Sequence, residues 1–194
     1  MPRIISGLAK GIILETPAGM KTRPTSDRAK EALFSILGDV FIGKGVLDLY
    51  SGTGSLGIES LSRGAGHCVF IDKNRKASQV IKNNIQKCKL ESSSNVICMD
   101  VVKSIDLPEV RESKFACIFM DPPYDKNLLA RTIEKISEND IIEKKGILVV
   151  EHSDREMPPD ELAGFLLGDR RSYGAVNFSF FRQADIIEES GDAV

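Results

Sequence analysis

The chain has little of what would bind a metal or span a membrane. Its two histidines, His67 and His152, are far apart in sequence. Its four cysteines, Cys68, Cys88, Cys98 and Cys117, show none of the close pairings that grip zinc. No metal site is expected, and the cysteines, three of them in apolar strand-like runs, are expected to be reduced core residues. No run approaches the roughly 18 apolar residues of a membrane span. The start, MPRIISGLAKG, lacks the continuous apolar stretch and cleavage site of a signal peptide. A cytoplasmic protein without a membrane partner is therefore expected. No internal repeat or low-complexity linker interrupts the chain. Its 194 residues, 42% hydrophobic and 28% charged, suffice for one well-buried core but not for two full domains. The expected organisation is a small N-terminal hairpin over residues 1–22 and one main domain over 23–194.

An overall excess of positive charge is also missing. The formal net charge is −2, whereas general nucleic-acid binders are usually basic. Residues 1–30 nevertheless carry six bases, Arg3, Lys10, Lys21, Arg23, Arg28 and Lys30, against two acids, Glu15 and Asp27. That local excess of four leaves the rest of the chain at about −6. A polyanion would have to be held by this patch; a solvated surface accounts for the same charges equally well.

What is present is a regular alternation. RIISG and GIILETP, separated by LAKG, read as a hairpin. TSDRAKEALFSILGDVF opens with Ser and Asp capping residues and spaces Ala29, Ala32, Leu33, Ile36 and Leu37 at helical intervals. From Gly45 onward the apolar runs GVLDLY, HCVFID, NVICMD, FACIFMD and GILVVEH read as strands. Between them lie SLGIESLSRG, NRKASQVIKNNIQKCKL, a looser VVKSIDLPEV and NLLARTIEKISEND, with apolar residues every three or four positions. Near-continuous apolar strands joined by helices predict an α/β fold, a mostly parallel sheet with helices on both faces. LLGDRRSYG and AVNFSFFR predict a C-terminal antiparallel hairpin at its edge.

Open sheets of this kind bind ligands beyond the carboxyl ends of their strands, where this sequence concentrates acids. DLYSGTGSLGIE places Gly52, Gly54 and Gly57 in a G-x-G-x-x-G pattern, and the loop Ser51, Gly52, Thr53, Gly54 would let backbone approach a ligand. A dinucleotide turn would use the same glycines and Asp72 on a ribose. Asp48, however, lies before the loop and would repel a pyrophosphate. It suits a ligand carrying an ammonium and a sulfonium, such as S-adenosylmethionine. Asp72, followed by Lys73, would then take the ribose, and Asp100 the adenine amine.

The run FACIFMDPPYDKN ends a strand on Asp121, Pro122, Pro123 and Tyr124. One proline would stop a strand; two fix successive φ angles and leave a rigid array of acceptors beside a carboxylate. A plain strand terminator is one reading of them. The chemical reading is that Asp121 and the Pro122 carbonyl take both protons of a nucleobase amine and free its lone pair, while Tyr124 stacks on the extruded base.

RIISG, TRPTSDRAKEALFSIL, VLDLYSGTGSLGIESLSRGA, DPPY and YGAVNFSFFR resemble the RsmD-like family of bacterial 16S rRNA guanine-N2 methyltransferases across nearly the whole chain. The resemblance implies a Rossmann-like class I methyltransferase fold and S-adenosylmethionine as donor. It further implies the N2 amine of a guanine in 16S rRNA, naked or in a small-subunit assembly particle, as acceptor. It places Arg23 and Thr25 near the donor and makes Lys21, Arg28 and Lys30 candidates for RNA contact; a monomer is expected. DPPY also occurs in enzymes that methylate adenine N6, so a DNA or RNA adenine-N6 methyltransferase is the alternative. Such enzymes commonly carry a separate target-reading region, for which little chain remains.

Overall fold

The computed structural model describes residues 1–17, 26–123, 126–154 and 157–184. Strands β1 (Gly45–Leu49), β2 (His67–Ile71), β3 (Ser94–Ile97), β4 (Phe115–Met120) and β5 (Ile142–His152) follow helix α1 (Asp27–Leu37) and alternate with further helices. These are α2 (Ser55–Ser62), α3 (Arg75–Cys88), the short α4 (Val101–Ser104) and α5 (Pro108–Arg111), and α6 (Lys126–Glu138). The chain then adds β6 (Glu161–Leu162), β7 (Phe165–Tyr173) and β8 (Val176–Gln183). The eight strands lie in the order β3-β2-β1-β4-β5-β8-β7-β6. Pairing is parallel from β3 through β5 and antiparallel at β5–β8, β8–β7 and β7–β6. The mostly parallel sheet and its terminal antiparallel hairpin are thus as the sequence predicts. The order reverses between β1 and β4, so a crevice opens where their carboxyl ends diverge.

Both faces are covered, which is why the strands read as continuous apolar runs rather than alternating ones. On one face Cys117 and Phe119 of β4 meet Leu33 and Phe34 of α1, Ile58 of α2 and Ile81 of α3 in a single cluster. Ile118 and Met120 point the other way, into a cluster with Ile105, Val110 and Ile133 and Ile136 of α6. Cys68, Cys88 and Cys117 are buried, but Cys98 is exposed because β3 ends one residue before it. The expectation of four core cysteines is corrected at that position.

Helix α1 starts as expected, with the Ser26 hydroxyl accepting from the Ala29 N–H. Its buried face is Ala29, Lys30, Leu33, Phe34 and Leu37, and Ile36 is left 39% exposed. The helix is rotated because Lys30 is buried. Its ammonium lies 3.2 Å from a carboxylate oxygen of Glu59, and both side chains are fully buried. The same ammonium donates to the Arg3 carbonyl at 2.5 Å and the Ser55 hydroxyl at 3.1 Å. Burial lowers the Lys30 pKa, with Glu59 opposing that shift. Lys30 therefore cannot reach an RNA phosphate, and its place among the RNA-contacting bases is corrected.

The N-terminal segment doubles back through one antiparallel bridge, Arg3 to Ile13, with Gly11 donating to the Ile4 carbonyl at 2.8 Å. It docks on α2: the Ile5 and Ser6 N–H groups donate to Glu59 at 2.8 and 3.0 Å, and Ala9 donates to the Ser62 hydroxyl at 2.9 Å. Arg63 completes the ring around Glu59 at 2.8 Å. Removing one member of a buried ion pair strands the other. Glu59→Ala is expected to lower unfolding free energy by about 3–5 kcal/mol in urea titrations. A loss below about 1 kcal/mol, the range of surface pairs, would show that this network does not hold the segment in place.

Candidate active site

The turn after β1 is built from three left-handed residues, Tyr50 (φ 57°), Gly52 (φ 56°) and Gly54 (φ 74°). Tyrosine rarely adopts this conformation, and its hydroxyl is tied to Thr132 of α6 at 2.7 Å. Ser51 stitches the turn to β2: its hydroxyl donates to the Asp48 carbonyl at 2.5 Å and accepts from the Ile71 N–H at 2.9 Å. On the far side the Thr53 carbonyl accepts from the side-chain amide of Asn84 at 3.0 Å. Asn84 is fully buried on α3 and also pairs with the Glu15 backbone, accepting at 2.7 Å and donating at 3.1 Å. One side chain thus braces the N-terminal segment and the glycine turn together. The third glycine has a different role from the first two: a Cβ on Gly57 would lie 2.3 Å from the Phe70 ring, so it serves the packing of α2 on β2.

The acids sit around this turn in unlike environments. Asp48 is buried and accepts from the Gly57 N–H at 3.0 Å. Burial above all, then repulsion from Asp72 and Asp121, pushes its pKa up to about 8 against that one stabilising N–H. Asp72 is also buried, but one oxygen accepts from Gly52 N–H at 3.0 Å and the other from Asn74 N–H at 2.8 Å. Asp100 lies exposed beyond β3 and caps α4 through the Lys103 N–H at 3.2 Å. Lys73 is exposed between β2 and α3. Asp121 follows β4 directly, with Pro122 half-buried and Pro123 exposed. Although Asp121 meets solvent, the protein around its carboxyl excludes enough water to push the pKa up to about 6. Among the described residues, none of the ion pairs involves Asp48, Asp72 or Asp121. Three mutually repelling acids without a cationic partner form a place where a positively charged ligand is favoured.

Arg28 is exposed and, with Ser26, Ala29, Ser172, Tyr173 and Gly174, lines a depression of about 390 Å³. His152 at the end of β5 pairs with Asn177 near the start of β8, so this turn lies at the same end of the sheet as Asp121. It is separate from the glycine turn, none of whose residues line it. Lys21, Arg23, Thr25 and Tyr124 lie outside the described residues. Sequence reasoning missed two functional positions. Asn84 has a visible signal: it falls on the apolar stripe of α3 with Ala77, Ile81, Ile85 and Cys88, where a polar residue needs partners. Tyr50 has none, because a left-handed φ at a non-glycine residue leaves no mark in composition.

Residues 2–182 match the family model described as Conserved hypothetical protein 95. YlbH of Bacillus subtilis is 39% identical over 182 residues, spanning 93% of this chain and 98% of its own. Ribosomal RNA small subunit methyltransferase D of Haemophilus influenzae is 30% identical over 181 residues, 93% of each chain. The solved structure of yhhF from Escherichia coli aligns with a TM-score of 0.81 at 28% identity, covering 94% of this chain and 98% of that one.

The raised carboxyls set the sign of a pH dependence. Between the unfolded carboxyl value of about 3.9 and the folded one, the native state holds the extra proton, so stability falls as pH rises. The contribution of Asp121 is complete near pH 6, and that of Asp48 continues to about 8. Asp48→Asn is expected to flatten the decline in unfolding free energy between those two values, read from urea titrations at several pH values. An unchanged slope in the variant would remove Asp48 as its source.

Proposed function

This chain belongs to the Conserved hypothetical protein 95 family, that of RsmD, and we propose that it transfers a methyl group from S-adenosylmethionine to the N2 amine of a guanine in 16S rRNA. The observation that carries this reading is the crevice between β1 and β4, with the glycine turn on one side, Asp121 on the other and buried Asp48 below. S-adenosylmethionine, when bound, supplies a methyl carbon whose bond to sulfur breaks with its electron pair staying on the sulfur. Asp48 faces the positive charge of the donor. Asp72, with each oxygen engaged by one N–H, retains lone pairs for two ribose hydroxyls. Ser51, Gly52, Thr53, Gly54 and Lys73 border the donor, and Asp100 takes an adenine amine. Arg23 and Thr25 are proposed to complete that pocket.

Asp121 and the Pro122 carbonyl accept the two amine protons, which localises the nitrogen lone pair for in-line attack. No base is needed before the new N–C bond forms. The surplus proton then leaves the strongly acidic alkylated nitrogen for Asp121 or water. Tyr124 is proposed as the stacking surface for the base. Arg28, beside the depression at the same end of the sheet, and Lys21 are proposed to hold phosphate, and the protein to act as a cytoplasmic monomer on naked or assembling small-subunit RNA. The printed activity of the Haemophilus influenzae relative supports ribosomal RNA as substrate class over DNA.

Incubation of small-subunit rRNA with labelled donor, followed by nucleoside analysis, is expected to yield N2-methylguanosine; N6-methyladenosine would overturn the assignment. Asp72→Ala is expected to weaken donor binding by about 1.5–3 kcal/mol in calorimetric titration, the range for hydrogen bonds to a charged group. Asparagine keeps a carbonyl acceptor at position 121 but cannot take a proton. Asp121→Asn should retain measurable turnover while Asp121→Ala falls by about 10³-fold, both with the donor affinity of the parent. Equal loss in both variants would rule out the acceptor role.

A further inference from the structure

The carboxyl end of β5 carries a second acid on the same face as Asp121. Phe119 pairs with Val149, and Met120 with Val150, in the parallel register of β4 and β5. Phe119 and Val149 both face the cluster that contains α1. Asp121 precedes a proline, which keeps its backbone extended and continues the alternation of the strand. Asp121 and Glu151, two residues beyond that pair, therefore share its face on strands about 4.8 Å apart. Glu151 is 8% exposed. Its antiparallel neighbour on β8 is Phe178, whose ring lies 6.1 Å from that of Tyr173, and Tyr173 lines the depression beside Arg28. The row across this end of the sheet thus runs from the amine-accepting acid, through a buried acid, to a pair of aromatic rings.

Two adjacent carboxylates suit one nucleobase edge in particular. Guanine presents neighbouring donors, the exocyclic amine and the ring N1–H. Adenine presents its amine beside a ring nitrogen that bears a lone pair, which a carboxylate repels. We infer that Glu151 selects guanine by accepting its N1–H while Asp121 accepts from the amine. This rests on the guanine-N2 reading above and makes Glu151 a specificity-determining residue. Burial strengthens the selection, because an acceptor kept from water is left unpaired by a base lacking the proton. The Tyr173–Phe178 pair walls the far side of the base.

The test uses 2-aminopurine, which keeps the 2-amine but carries a lone pair at N1. Once the parent enzyme has marked its guanine in small-subunit rRNA, that residue is replaced by 2-aminopurine in a ligated RNA and the two substrates are compared by kcat/KM. The parent is expected to prefer guanine by at least about 30-fold. Glu151→Ala should lower kcat/KM for guanine by about 10- to 100-fold. Glu151→Gln, whose amide can donate to N1 as well as accept from it, should shrink the preference about tenfold. Donor affinity and unfolding midpoint equal to those of the parent establish that each variant is folded. Comparable parent rates on both substrates would overturn the inference, and so would a guanine preference undiminished in Glu151→Gln. The parent ratio needs no variant, so a misfolded substitution leaves the test decisive. If the parent forms no N2-methylguanosine at all, the underlying reading fails first, an outcome distinct from either of these.

Discussion

Glu59 places a carboxylate where no water reaches, so every group around it must bring a hydrogen. Four do: the Lys30 ammonium, the Arg63 guanidinium and the N–H groups of Ile5 and Ser6. Each comes from a different part of the chain, which makes the position of α2 conditional on α1 and on the N-terminal segment. Since α2 also carries Gly57, whose N–H holds Asp48, the constraint passes directly into the crevice. A well-packed apolar contact could have joined the same helices with less sensitivity to error, because it does not fail when one donor is displaced. What the polar network adds is direction: it accepts only one arrangement of the three elements.

The crevice separates its acids by the donors they receive. Asp72 has two backbone N–H groups and Asp48 only one, although both are buried. With too few donors, Asp48 resists ionisation, and any cation entering the crevice relieves that resistance. The turn around it is fastened on three sides, by Ser51 to β2, by Tyr50 to α6 and by Asn84 to α3. A site braced in this way loses little further freedom when a ligand arrives.

The sheet was legible in the sequence because burial on both faces leaves long apolar runs, and GVLDLY and FACIFMD mark the two central strands. The glycine turn and Asp121 were legible because glycines and consecutive prolines record backbone demands in residue identity. Side-chain partnerships left no such record. Lys30 reads as one more surface base until Glu59, distant in sequence, is seen to neutralise it. Ile36 fits the helical spacing yet faces out, since burying Lys30 turns the helix away from it. Glu151 sits in an apolar run beside a histidine, and only the register of β5 against β4 brings it level with Asp121.

The brace at Asn84 has a consequence for the order in which the molecule can be made. The N-terminal segment leaves the ribosome first, yet its anchors on Glu59 and Asn84 lie 53 to 69 residues further along. Through most of the synthesis of the first half-sheet this basic leading segment has nothing to dock on. Strand β1 meanwhile has β2 on one side and an open edge on the other until β4 arrives to cover it. The glycine turn receives its last support only when α3 has formed and the segment has returned to meet it. A chain deprived of its first fifteen residues would still reach the sheet, but the turn would lose the backbone that fixes Asn84.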